Sequence, residues 1–490
     1  MATITMTLSQ AVVDQQHALA LQNGALASSL DGMFQAIDSY KGTINPGEAT
    51  GSVLDGATLV VHYTSGATET YRNVVLDNPG AATGHGSAGG YEYAQPGVAG
   101  VFGAGKINFD YTVDGGNVWL TPSTTGDTYS ALGFASDLSA ASPTYDPVYG
   151  NTGLTLTGNL ALTPHGDTIG SFSNITLYAE KFLASTSIDG SFYIDSTRTD
   201  GLGGVLTGYH ELYQDGSQLQ LGGISTSVSA SQSLGGTVGT DTPAFDGDDV
   251  MTVDLPAHLY APVMLQAGAG NDRISLKGGG GQLGVMAGAG NDQITLLGDA
   301  HAVDGGAGID TVRLSMTHAD ATVQRIGTTG GTYTVTDKAG TIEQLTGVER
   351  VDFSDASVAL DIDGNGGQVY RIYQAAFNRA PDAGGLGYWI NAMDHGQSFA
   401  TVASGFVDSD EYHDAYDGVA SNRDLVNRFY ENILHRAPDA GGLDFWTGVL
   451  DSKAAGTADV LAAISDSAEN KAGLIGVIGN GFEYTPYGQG

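Results

Sequence analysis

Three nine-residue segments set the tightest limit on how this chain can fold: AGAGNDRIS at 267–275, AGAGNDQIT at 287–295 and GGAGIDTVR at 305–313. Each carries glycine at its second and fourth positions, aspartate at its sixth and an aliphatic residue at its eighth. The glycines permit backbone turns that a Cβ forbids, the aspartate supplies a hard oxygen, and the aliphatic side chain seeks the core of a short strand. A period of this kind describes stacked strands and turns, one supersecondary unit per repeat, and excludes a helical reading of the region. The aspartates Asp272, Asp292 and Asp310 stand 20 and 18 residues apart.

These segments resemble the repeats of the RTX (repeats-in-toxin) family, whose members fold as a parallel β-roll around calcium and leave the cell by type I secretion. In that family two successive repeats make one coil, so turns about eighteen residues apart stack on one edge and share an ion. The resemblance therefore implies that Asp272, Asp292 and Asp310 line one edge, in turns shaped by Gly268, Gly270, Gly288, Gly290, Gly306 and Gly308. Roughly two or three calcium ions are expected there, with backbone carbonyls completing shells of about six to eight oxygens. Without a cation such a line of aspartates repels itself. The intervening segments, GGGGQLGVM at 278–286 and LLGDAHAVD at 296–304, lack the matching aspartate, so the opposite edge is expected to bind calcium poorly. FDGDDVMTV at 245–253 is expected to add an entry turn through Asp246, Asp248 or Asp249. The segment 347–367 resembles the one that follows such repeats in type I secreted proteins. Within it Asp361, Asp363, Asn365 and Gly366 match the first half of an EF-hand loop, but Ile372 stands where a glutamate is required, which makes a helix-capping turn the expected structure.

Composition narrows the function classes. The 74 glycines, the absence of cysteine and a charged content of 15% suit strands and turns, and exclude disulfides and thiolate metal sites. A formal charge of −36 repels phosphates and anionic headgroups and attracts divalent cations, so nucleic acid is excluded as a partner. No Lys or Arg precedes Lys41 and no apolar run reaches membrane-spanning length. The expectation is export to the cell surface or medium without an N-terminal signal peptide and without a membrane span, on a signal that lies elsewhere.

Pattern changes divide the chain. Residues 8–40 read as one or two helices broken near Asn23-Gly24, and short alternating runs from about 52 to 235 read as a β domain. GTVGTDTPAFD at 236–246 reads as a linker. The expected architecture is multidomain, mainly β with an α-helical C-terminal domain: an N-terminal helix plus β-rich assembly or adhesion domain over 1–235, the parallel β-roll over 236–360, and a duplicated helical module over 361–490 with repeats at about 366–410 and 423–470.

The duplication is explicit. RAPDAGGL occurs at 379–386 and again at 436–443, an offset of 57 that also aligns Tyr373 with Tyr430, Tyr388 with Phe445 and Trp389 with Trp446. Each copy reads as a helix, a turn, a second helix and a third. Pro381 and Pro438 are expected to end the first helix, Asp382 and Asp439 to cap the next, and Arg379 and Arg436 to pair with those aspartates. A ligand pocket is the functional alternative, with Trp389 and Trp446 stacking on a sugar and the Arg/Asp pairs binding hydroxyls. This region resembles a domain of unknown function found at the C-termini of bacterial secreted, RTX and surface-layer proteins, and more distantly the phycobilisome linker domain. That resemblance implies an extracellular accessory or assembly role.

Residues 1–235 contain no His-Glu-x-x-His helix, Gly-x-Ser-x-Gly elbow, P-loop or dinucleotide fingerprint. The expectation is a non-enzymatic, calcium-dependent structural protein of the surface or matrix, S-layer-like, filament-forming or adhesive. Its expected partners are further copies of itself, cell-surface polysaccharide and the type I secretion machinery. The alternatives are a secreted hydrolase with an unrecognised site in the β domain, and a polysaccharide-binding module.

Overall fold

The computed structural model describes residues 2–21, 46–122, 127–136, 150–162, 168–181, 183–195, 202–229, 245–327 and 331–488. Among them the chain is mainly β, with helices concentrated after residue 364, and it divides into two compact units, Met1–Tyr260 and Ala261–Gly490. The expected boundary at 235/236 and the expected helix break near Asn23 lie outside the described residues.

The first unit is an antiparallel meander. From Ala49–Asp55 onward, strands pair with their neighbours in sequence through Gln218–Ser229, except that Thr68–Arg72 reaches past Val75–Leu76 to Thr83–Gln95 and Ala99–Asp114 pairs with both Asn117–Pro122 and Thr128–Ser136. The strand Thr3–Thr7 then inserts beside the last of these, antiparallel to Gln218–Ser229 and parallel to Val250–Leu255. Alternation explains the insertion: Ile4 and Met6 are buried with Met251 and Val253, while the threonines between them face outward. The helix Gln10–Leu21 follows, with Val12 packed on Tyr213. Bulges fall in adjoining pairs near Ala104, Thr157, Phe172, Asp189 and Leu206, and such bulges bend strands and increase twist. The sheet closes over an apolar cluster of Leu154, Leu156, Leu160, Phe172, Ile175, Ile188 and Phe192.

In the second unit the glycine-aspartate segments build two parallel sheets between which the chain alternates. One sheet holds Val263–Gln266, Leu283–Ala289, His301–Ala307 and Ile342–Thr346 in parallel. The other holds Arg273–Gly278, Gln293–Leu297, Thr311–Leu314 and Arg350–Asp352 in parallel. Register puts identical roles in line, Ile274 beside Ile294, Val312 and Val351, and Leu265 beside Val285, Val303 and Leu345, all of them buried. Each such side chain contributes about 1.5–3 kcal/mol of burial, which is why the aliphatic eighth position recurs. A hairpin of Ala321–Arg325 and Thr332–Asp337 extends the first sheet antiparallel, and Ser357–Ala359 with Phe482–Tyr484 extends the second.

The helical region has four helices in each copy, one more than the sequence suggested. The first copy holds Asn365–Phe377, Ala383–Asp394, Phe399–Val407 and Asp410–Tyr416. The second holds Asn422–Leu434, Ala440–Asp451, Thr457–Ser465 and Ala468–Ile478. The extra helix arises because Ser409 and Ser467 follow within two residues of the third and cap a new first turn through Tyr412 and Asn470. The first helices also stop before their prolines. Asn378 and His435 adopt left-handed φ of 48° and 52°, which ends the helix, and Pro381 and Pro438 sit three residues beyond in the loop. Val369, Ile372, Phe406, Val426, Phe429 and Val460 form the shared core.

Candidate metal centre along the glycine-aspartate turns

The turns stack because only glycine fits them. A Cβ on Gly288 would lie 1.9 Å from the carbonyl oxygen of Gly268, and one on Gly290 would lie 1.9 Å from that of Gly270; Gly306 and Gly308 stand in the same relation to Gly288 and Gly290. Their φ values, from 95° to 140°, are open to glycine and strained for other residues. The carbonyls of one turn are thereby pressed against the next.

Two files of side chains run along this edge. In one, Asn271 accepts the amide of Asn291 at 2.8 Å and Asn291 accepts the amide of Ile309 at 2.8 Å. In the other, Asp292 accepts the amide of Asp272 at 2.8 Å and Asp310 accepts the amide of Asp292 at 2.8 Å. The structure thus brings together the three aspartates that the spacing nominated, all of them buried. The file goes on to a residue that the sequence reading missed: Glu349 accepts the amide of Asp310 at 2.9 Å. The signal was present, since GVERV at 347–351 aligns with GIDTV at 308–312 once glutamate is allowed in place of aspartate.

Electrostatically the file is under tension. Burial pushes the Asp292 carboxyl up; it pushes Asp310 up to about 7, with the Asp292 and Asp304 carboxylates adding to the shift and the Asp292 amide opposing it. Burial likewise raises Glu349 to about 7, against the amide of Asp310 that it accepts. The second carboxylate oxygens of Asp292 and Asp310 are buried with no hydrogen-bond partner. Among the described residues no three His, Asp or Glu side chains gather at one point. A cation on this edge would therefore draw on successive carboxylates together with glycine carbonyls, the oxygen-rich set that suits a hard dication.

Asp246, Asp248 and Asp249 belong to the first unit, whereas the file belongs to the second. Asp249 is buried and accepts the amide of Ala2, while Asp246 and Asp248 are exposed. On the edge opposite the file, His301 and Glu343 form a buried pair at 3.2 Å, and Glu343 also accepts the His301 amide at 2.7 Å. The half-loop at 361–366 works as a capping turn: Asp361 accepts the amide of Gly366 at 2.8 Å and pairs with Arg350, and Asn365 donates to Asp394 at 3.0 Å.

In the duplicated turns Asp382 and Asp439 cap the helices that follow, accepting from Gly385 and Gly442 at 2.6 and 2.8 Å. The arginines give their hydrogen bonds to a partner other than the expected one, and Arg379 keeps the expected aspartate as a looser ion pair. Arg379 binds both oxygens of Glu411 at 2.7 and 3.0 Å, and Arg436 both oxygens of Glu469 at 2.6 and 2.7 Å, while Asp382 stays 3.9 Å from Arg379. The fourth helices supply those glutamates, so a three-helix reading could not have found them. Trp389 and Trp446 are half-buried and packed against the core, Trp389 with its ring centroid 5.4 Å from that of Phe406.

No curated protein matches the chain. The model of one family does match its helical region, over residues 365–416 and again over 403–474, and that family is described as a domain of unknown function (DUF4214). The first match covers the first copy and the second covers most of the second copy, starting within the third helix of the first, so the C-terminal quarter of the chain is similar to this family twice over.

Proposed function

We propose that the chain is a secreted, calcium-dependent structural protein of a cell surface or extracellular matrix, and that its glycine-aspartate coils are an RTX-type β-roll that external calcium folds. The observation that carries this reading is the file itself: buried carboxylates whose second oxygens, at Asp292 and Asp310, have no partner, beside carbonyls presented by glycine turns. Calcium takes about six to eight oxygens of these two kinds at about 2.3–2.6 Å. Where calcium is scarce the unfolded chain keeps its acids hydrated and apart and stays exportable. Outside, an ion that binds only the folded coil stabilises it by about 2.7 kcal/mol when present at a hundred times its dissociation constant.

Assembly into sheets, filaments or adhesive layers draws support from the first unit. Val53 and Leu54 are exposed on the strand Ala49–Asp55, whose Ser52 is tied to Asn117 and Val118, and these exposed apolar side chains favour contact between copies. A second reading, polysaccharide binding, has one observation in its favour: a depression lined by Gly89, Gly90, Gly100 and Gly103 beside the exposed ring of Phe102.

The test compares the full chain in chelator and in millimolar calcium, by circular dichroism, melting temperature and electron microscopy. A gain in ordered strand and in melting temperature with calcium is expected, with assemblies appearing only then. Melting and spectra indifferent to calcium would overturn the reading, and sugar-dependent binding of a metal-free monomer would favour the second.

A further inference from the structure

The strand Thr3–Thr7 fills a slot in the first unit. It is paired along its whole length on both sides, antiparallel from Thr3↔Gly222 to Thr7↔Gln218 and parallel from Thr3↔Val250 to Thr7↔Asp254. Ile4 lies level with Leu221 and Met251, and Met6 with Leu219 and Val253; Ala2, Ile4 and Met6 are buried there. Polar bonds clasp both ends. Val250 donates its amide to the Ala2 carbonyl and Leu8 its amide to the Asp254 carbonyl, each at 3.1 Å, while the Ser9 amide binds Ser217 at 2.9 Å and the Ser9 hydroxyl binds Asp215. The helix Gln10–Leu21 adds Val12 on Tyr213 and a bond of 2.7 Å from Gln16 to the Tyr213 hydroxyl.

These partners belong to the late end of the meander and to the strand Val250–Leu255. The chain that follows the segment resumes with Ala49–Asp55, the strand at the early end, so the whole order of the meander lies between the slot and the next strand in sequence. Residues 22–45 make that connection, and at about 3.3 Å each they reach at most about 80 Å. The slot itself does not distinguish its own segment from that of a second copy. The same residue pairs, clasps and burial recur in either arrangement, so the contacts cancel and the tether alone decides. A tether of this length sets an effective concentration on the order of a millimolar. Below it the segment stays in its own unit; where copies crowd above it, as in a surface layer, a neighbour's slot competes.

We propose that copies of this chain join by exchanging the segment Ala2–Leu21, the strand Thr3–Thr7 of one chain completing the sheet of the next between Gln218–Ser229 and Val250–Leu255. This rests on the assembly reading and names the contact that assembly uses. The exchanged strand is held by ladder bonds on both flanks and keyed by two buried side chains, so the join has the strength of the fold itself. Passed on to a third copy, the segment builds an open string; returned to the first, it closes a dimer.

The chain has no cysteine, so an engineered pair reports on the slot alone. Thr5 and Gln220 stand opposite one another in the antiparallel ladder, where Cα atoms lie about 4.5–5.5 Å apart, within disulfide range. The full chain carrying T5C and Q220C is oxidised in millimolar calcium at rising protein concentration and run on a denaturing gel without reductant. It should pass from a monomer closed on itself to a covalent ladder. Should the double variant fail to fold, a mixture of the T5C chain with the Q220C chain decides, because these two can couple only between copies; a dimer band is expected. A synthetic peptide of residues 2–9, ATITMTLS, in excess should suppress the ladder by filling slots, and the same peptide with Ile4→Asp should not. A ladder that the first peptide leaves intact would refute the exchange. If electron microscopy shows assemblies while the double variant closes only on itself and the mixture stays monomeric, the exchange is refuted and the assembly reading stands. If no assemblies form and every gel shows monomer alone, both fall.

Discussion

Raising the pH should weaken the metal-free coil, and by an amount the structure allows one to work out. Burial lifts the Asp310 carboxyl from 3.8 to about 7, with the neighbouring Asp292 and Asp304 carboxylates adding, and lifts Glu349 from 4.5 to about 7. A carboxyl whose pKa is higher in the folded chain than in the unfolded one holds its proton more tightly when folded. Its protonation favours folding at low pH, and that advantage is lost as the pH rises from about 4 through about 7. A shift of about three units at about 1.36 kcal/mol each makes the loss at Asp310 on the order of 4 kcal/mol. Glu349 contacts Asp310 and titrates with it, so its contribution is less than an independent group would give. About two of those units fall between pH 5 and pH 8, and for a unit of this size each kcal/mol moves the melting temperature by about 2–4 °C, so a fall of roughly 5–10 °C is expected there. Carboxylates that their partners hold low, among them Asp466, Asp439 and Glu469, lose stability only as the pH falls below the usual carboxylate range, outside this window. Differential scanning calorimetry in chelator reads the effect. Asp310→Asn, which keeps an acceptor for the Asp292 amide and removes the charge, should flatten the profile. Saturating calcium should flatten it too, because the cation takes the proton's place. A metal-free melting temperature that stays level or rises from pH 5 to pH 8 would refute the reasoning.

Two further predictions concern the helical copies. Gly385→Ala would set a Cβ 1.9 Å from the Tyr373 hydroxyl, whereas one on Gly384 meets nothing nearer than 3.8 Å. The first should cost about 1–3 kcal/mol, the second should gain up to about 1 kcal/mol in helix propensity, and Tyr373→Phe should relieve part of the first, as read by urea denaturation. Arg350→Met leaves the buried Asp361 without its counter-ion, so a loss of about 3–5 kcal/mol in the thermal unfolding of the helices is expected, with Arg350→Lys intermediate.

The sequence was most readable where a residue's task is local. Glycine spacing marked the stacked turns, and the caps at Asp382 and Asp439 followed from their place before a helix. It was least readable where the task depends on a distant neighbour. Glu411 and Glu469 bind arginines about thirty residues away, through a fourth helix that the duplicated pattern did not reveal. Asn378 and His435 end helices by left-handed geometry, which asparagine tolerates and histidine shows only in place, so the visible prolines took the credit. Glu349 escaped because an inserted hairpin broke the period of about twenty residues and because glutamate replaced aspartate. Both changes leave the register of Val351 beside Val312 intact, and that register is visible only in three dimensions.

The choice between asparagine and aspartate on adjacent positions bears directly on what the edge is for. Asn271 and Asn291 tie successive turns together through a side-chain oxygen and a backbone amide, at 2.8 Å, and carry no charge. Asp292 and Asp310 make the same kind of bond at the same length one position later. If holding the turns together were the whole task, asparagine would serve at both positions and spare the fold the cost of burying charge, since an amide needs no counter-ion. Aspartate adds only the negative charge and a second acceptor oxygen. At Asp292 and Asp310 that oxygen is buried without a partner, at a cost of about 1–3 kcal/mol each before the charge is counted. A chain that carries this burden in successive turns, beside a neutral alternative it already uses, is built to be completed by something positive. A proton can do it below about pH 7, where Asp310 and Glu349 take one up, and under more alkaline conditions the calcium proposed above would take over the task.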